Sequence, residues 1–202
     1  MATASYPGLD DAARRVLVTN VARALVGRIP RFEARLDEIL RRIGWRYLNG
    51  SLILVGVVDE QDLAQVPARA QADLLKAAER ITTDPSGAIT AASGAIDALT
   101  EDIYRKHSLG NAGEASFQER VNQSLKAIGA FQRYTDELVG LGWETERAEK
   151  LVHNLRGSIS QAAFVIQTLR ANMGDAHGSK PTIERLVFQS VRWMVIIATN
   201  LR

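Results

Sequence analysis

The stretch Leu169-Arg170-Ala171-Asn172-Met173-Gly174-Asp175-Ala176-His177-Gly178 closes one apolar helical pattern and stands just before another, which begins near Pro181. Gly174 and Gly178 punctuate the interval. Glycine ends helices readily and lets a backbone come close to a ligand. An arginine, an asparagine, an aspartate and a histidine crowd this one helix end, more polar chemistry than any other segment gathers. Helix, short glycine-bearing loop, helix is the unit from which the C-terminal half reads as a bundle.

Working outward, Leu151, Leu155, Ile159, Ala162, Ile166 and Leu169 recur on one side of a long helix capped by Thr145. Beyond the loop, Ile183, Val187, Val191, Met194 and Ala198 form one stripe of a final helix over about 181–201, while Phe188, Trp193, Val195, Ile196 and Ile197 lie off that stripe. A helix apolar almost all round has to be buried almost all round; the N-terminal half or another subunit is its second burial partner. Upstream, Ser116-Phe117-Gln118-Glu119 has the capping-box pattern and opens a helix carrying Phe117, Val121, Leu125, Ile128 and Phe131 as far as Gly140-Leu141-Gly142. Before that, Asp84 is an N-cap followed by Pro85, and Ile89, Ala92, Ile96, Leu99 and Ile103 alternate at spacings of three and four. Residues 84–202 thus read as a four-helix bundle.

Residues 1–83 read as a separate helical module, with Thr83-Asp84-Pro85 as the boundary. Ala13, Val16, Leu17, Val21, Ala24 and Leu25 mark one helix, and Phe32, Leu36, Ile39, Leu40 and Ile43 mark a second that stops at Gly44. Then the period changes. Trp45 to Val55 holds Asn49-Gly50, a two-residue hairpin turn that needs positive φ at both positions. Pairing Leu48 with Ser51 sets Trp45 opposite Leu54 and Tyr47 opposite Leu52, an apolar aromatic face ready to pack on helices. Helical spacing returns over 59–81, kinked or restarted at Pro67. The expected fold class is mainly all-α, with one β-hairpin at about 45–55.

Composition narrows the chemistry. There is no cysteine among the 202 residues, which excludes disulfides and thiolate metal sites. The three histidines (His107, His153, His177) are far apart, with no HExxH pair, so no metal or cofactor is expected. A net charge of +2, all of it in residues 1–83 (12 Lys/Arg against 10 Asp/Glu), does not suggest wrapping around duplex DNA. No signal-peptide pattern is visible and no apolar run approaches the ~18 residues of a membrane span; the chain reads as cytoplasmic, with no membrane partner.

Arg170 followed, after six intervening residues, by His177 within Gly174-Asp175-Ala176-His177-Gly178 resembles the C-terminal motif of Abi-C-type abortive-infection proteins, a branch of the HEPN superfamily. Asp84 to Ala92 is similar to the opening of that family's first bundle helix, and Gly157-Ser158 and the helix into Leu169-Arg170 are similar to the segment before its motif. The resemblance implies a HEPN-like helical bundle, a homodimer whose Arg/His sites face a shared cleft, and RNA as the substrate. It also implies a role in phage defence or as a toxin, with an antitoxin protein as a possible partner. Active members often carry Asn directly after the Arg. Here Ala171 occupies that place and Asn172 follows, turned by roughly 100° on a helix.

Metal-independent RNA cleavage needs proton transfer at the 2′-hydroxyl and 5′-oxygen, and charge neutralisation at phosphorus. Histidine titrates near working pH, and arginine offers a planar fork that stays protonated. His177 is then the general acid or base and Arg170 the phosphorane clamp. Asn172 positions a phosphate or water, and Asp175 orients the imidazole or caps the loop. The rival reading makes Arg170 a helix cap and His177 a plain loop residue, in a non-catalytic module that binds RNA, nucleotide or a partner protein. The arginines at 31, 35, 41, 42 and 46 are interspersed with acids and read as a solvated face rather than an RNA track.

Overall fold

The computed structural model describes residues 11–173 and 183–202. Over them the chain is mainly α-helical with one two-stranded antiparallel hairpin, as expected. Helix α1 (Asp11–Arg28) leads through a 3-10 turn at Pro30–Phe32 into α2 (Glu33–Arg41). The hairpin pairs β1 (Trp45–Leu48) with β2 (Ser51–Leu54) in the register the turn dictates, Trp45 opposite Leu54 and Leu48 opposite Ser51. Asn49 at φ 47° and Gly50 at φ 82° supply the left-handed pair that matches the twist of the strands. Tyr47 and Leu52 are buried on the expected face. Leu48 and Ile53 are buried too, on the opposite face, and join the central apolar cluster.

The helical span expected at 59–81 is two helices. Asp59 and Asp62 cap α3 (Glu60–Ala64) reciprocally, each side chain accepting the other's backbone N–H. Pro67 then restarts the chain as α4 (Ala68–Arg80). Asp84 accepts the Gly87 N–H at 2.8 Å and Pro85 sits in the first turn, so α5 (Pro85–His107) begins where a missing donor does no harm.

The helix expected from Phe117 to 139 is also two, α6 (Phe117–Ala127) and α7 (Ala130–Gly140). Gly129 at φ 65° breaks it, although the apolar period runs through the break at Val121, Leu125, Ile128 and Phe131. Helices α8 (Thr145–Met173) and α9 (Glu184–Asn200) complete the described fold.

α5 is the axis of the molecule, packing against α4, α6, α8 and α9. Ala88, Ala92 and Ala95 let neighbours come close, so Leu74 and Ala77 of α4, Ile81 just after it, and Val187, Val191 and Met194 of α9 pack against its core with little or no exposure. One apolar cluster runs without interruption from the hairpin and α4 through α5 into α9.

Two expected stripes are placed differently. On α8 the buried residues are Ala148, Val152, Ile159, Ala163, Ile166 and Met173, while Leu151 and Leu155 are exposed. On α1, Val16 and Val21 are each 58% exposed. Periodicity marks the apolar side of a helix, and the neighbours decide how much of it is covered. In α9 the off-stripe Val195 and Ile197 are buried and Ile196 is exposed. None of the described helices is long and apolar enough to cross a membrane.

Candidate functional site

Arg170 lies in the last turn of α8. Its Nη1 is 2.7 Å from Oδ2 of Asp97, in the middle of α5. The other oxygen of the same carboxylate, Oδ1, accepts from Nη2 of Arg120 on α6. One aspartate thus gathers a guanidinium from each of two other helices. The side chains are graded in exposure: Arg120 11%, Asp97 19%, Arg170 43%. A carboxylate flanked by Ile96 and Leu99 on the central helix is tolerable because two cations compensate it. The trio carries a net single positive charge. Arg170, the most exposed member, has five N–H donors and gives one nitrogen to Asp97. Nε of Arg120 is buried and has no hydrogen-bond partner among the described residues.

The rest of α8 is registered by polar contacts to its neighbours. The Gln118 N–H donates to Oε1 of Gln167 at 3.0 Å, and Gln118 Nε2 donates to the carbonyl and the hydroxyl of Ser160, both at 3.1 Å. Asn122 Nδ2 donates to the same hydroxyl at 2.9 Å. At the C-terminal end of α8, the Ser86 hydroxyl at the start of α5 donates to the carbonyl of Met173. The turn that carries Arg170 is therefore held from α5 by two separate contacts.

Asn172 is exposed and its Nδ2 donates to the Thr168 carbonyl at 2.8 Å, a bond to the preceding turn of its own helix. Asp175 and His177, with Gly174 and Gly178, lie outside the described residues. His107 and His153 are both exposed. No cluster of three or more His, Asp or Glu side chains suited to a metal occurs among the described residues. Much of the N-terminal arginine group is paired: Arg35 and Arg42 flank Glu38, Arg41 meets Asp37, and Arg46 meets Glu60. Those two hydrogen-bonded guanidiniums hold the Glu38 carboxyl below the usual range.

Asp97 and Arg120 are the site residues that sequence reasoning missed. The available signal was Asp97 itself, the first charged side chain of a helix whose preceding residues, from Pro85 to Ile96, are all uncharged. A charge placed there needs a partner. No protein-family model, no curated protein and no solved structure matches this chain.

Proposed function

We propose that the chain is a metal-independent RNA endonuclease of HEPN type, acting in phage defence or as a toxin. Arg170 neutralises the phosphorane and His177 transfers the proton. The observation that supports this best is the Arg120–Asp97–Arg170 array. It keeps a net positive charge, it fixes the orientation of one partly exposed guanidinium, and it stands seven residues ahead of the histidine. A clamp fixed before substrate arrives needs no reorganisation when charge develops at phosphorus. The scissile phosphate takes donors of Arg170 not used by Asp97. Attack by the ribose 2′-oxygen expels the 5′-oxygen and leaves a 2′,3′-cyclic phosphate and a 5′-hydroxyl. A homodimer supplies the second proton-transfer group from the other subunit.

The second reading is a non-catalytic helical module binding RNA, nucleotide or a partner protein. It is favoured by the same ion pair, since Asp97 already satisfies part of the Arg170 fork. Incubating the full chain with structured and single-stranded RNA in excess chelator separates the two. The nuclease reading expects cyclic-phosphate products that fall by roughly 10²-fold or more in His177→Ala, the usual scale of general acid–base assistance, and that fall also in Arg170→Ala. RNA retained without cleavage by wild type, unchanged in both variants, sinks it.

A further inference from the structure

A second candidate site lies elsewhere, between α1, the hairpin and the junction of α4 with α5. The cleft there measures about 410 Å³, within the roughly 300–1,000 Å³ of small-molecule sites. It is lined by three guanidiniums, Arg15, Arg23 and Arg80, against two carboxylates, Glu79 and Asp84. Two of the arginines are occupied. Arg23 donates through Nε and Nη2 to the Gly50 carbonyl and stands 3.8 Å from Glu79, and Arg80 stands 3.5 Å from Asp84.

Arg15 is different. Among the described residues it pairs with no carboxylate, and its Nη1, closed to solvent, finds no hydrogen-bond acceptor. That nitrogen carries an uncompensated desolvation penalty, while the side chain as a whole is only half-buried and lines the cleft, so an anion entering it meets a guanidinium with no carboxylate of its own among the described residues. The same guanidinium lies 5.2 Å from the centre of the Trp45 ring, so its plane is held in place before any ligand arrives. Trp45 and Leu52 add an apolar wall beside the charges.

We infer that this cleft binds the phosphorylated end of a nucleotide. Arg15, with Arg80 lining the same cleft, takes the phosphate, because a guanidinium donates two parallel bonds to its oxygens. The base lies against the indole and leucine, since every nucleobase has a face that an aromatic side chain can hold. A free 5′-nucleotide and the 5′-phosphorylated end of an RNA chain present this chemistry equally. The inference does not rest on the nuclease reading. Asp84 borders the cleft and Asp97 lies thirteen residues further along α5, roughly 20 Å away at 1.5 Å per residue.

The test follows the Trp45 indole N–H by NMR in the full chain while AMP, adenosine and inorganic phosphate are added. It then compares 5′-phosphorylated with 5′-hydroxyl single-stranded RNA of one sequence. AMP is expected to shift the resonance saturably, with adenosine and phosphate each binding at least roughly tenfold more weakly, as loss of a charge-assisted contact or of a stacked ring predicts. Arg15→Met should weaken AMP by roughly tenfold or more while the melting temperature holds or rises, because an unsatisfied buried nitrogen has gone. Arg80→Gln, on a different helix from Arg15, should weaken it as well, and decides the matter if Arg15→Met does not fold. Tighter binding of phosphorylated RNA than of AMP assigns the ligand to an RNA end, and the reverse assigns it to a free nucleotide. A resonance unmoved by both AMP and phosphorylated RNA, adenosine binding as well as AMP, or AMP affinity unchanged in the folded variants overturns the inference.

Discussion

Helices α1 and α5 both carry apolar residues at helical spacing, and the fold uses them in opposite ways. α5 buries Ala88, Ile89, Ala92, Ala95, Ile96, Leu99 and Ile103, with helices packed on several sides. Of the side chains of α1 from residue 13 onward, only Thr19 and Ala22 are buried. α1 is tied down at a point instead, by Arg23 on the Gly50 carbonyl, with Arg15 lying over Trp45. An apolar stripe therefore announces a helix without announcing what the helix contributes. The contribution follows from how many neighbours close around it, because stabilisation scales with the apolar area removed from water.

The contrast can be broken most directly at Ile96, which has no exposure at all. Ile96→Ala should cost about 2–5 kcal/mol in a denaturant titration, the range for emptying a closed core site. A loss under 1 kcal/mol would mean that α5 is not the axis. Next comes its neighbour Asp97. Asp97→Ala leaves Arg120 largely buried without its anion and should cost about 2–3 kcal/mol, less than the ~3–5 of a sealed pair because Asp97 keeps some solvent. Restoration of stability by Arg120→Leu in the Asp97→Ala background would confirm that the stranded cation is the cause.

A smaller effect sharpens the same point at Asp62, a carboxylate with no ion pair among the described residues. Burial raises its pKa above the ordinary 3.8; the Asp59 backbone N–H that it accepts opposes the rise, the Asp59 carboxylate adds to it, and Arg192 opposes it. An acid that holds its proton more tightly when folded weakens the fold as pH climbs from the ordinary aspartate range through the raised value, and the penalty persists at neutral pH. Asp62→Asn keeps an oxygen for the Asp59 N–H. It should melt above wild type at pH 7, with the gap closing as pH falls below about 4. A gap that widened on acidification would refute the assignment. Smallest is Val21→Ser on the open face of α1, which should stay within about 0.5 kcal/mol; a loss above 1 kcal/mol would show that something covers that face in solution.

Legibility followed the range of the interaction. The hairpin register could be read because Asn49-Gly50 encodes it in two adjacent residues, and the start of α5 because Asp84, Pro85 and Gly87 are neighbours. The break between α6 and α7 was hidden because Ile128 and Phe131 keep the apolar beat on either side of Gly129. The rotation of the α8 stripe away from Leu151 and Leu155 was hidden because it depends on where α5, α6 and α9 lie. At the candidate site Arg170 stood out from its local motif. Asp97 and Arg120 did not, being separated from it by 73 and 50 residues and joined to it only by helix packing.

The hydroxyl that spans from Ser86 to the carbonyl of Met173 gives α5 and α8 a common end. Helix ends ordinarily loosen first, their final carbonyls having no partner of their own. Here the last carbonyl of α8 is tied to α5, so the closing turn of α8 cannot uncoil without first breaking that bond. Amide hydrogens of residues 170–173 should then exchange more slowly than at an untied helix end, and Ser86→Ala should speed them.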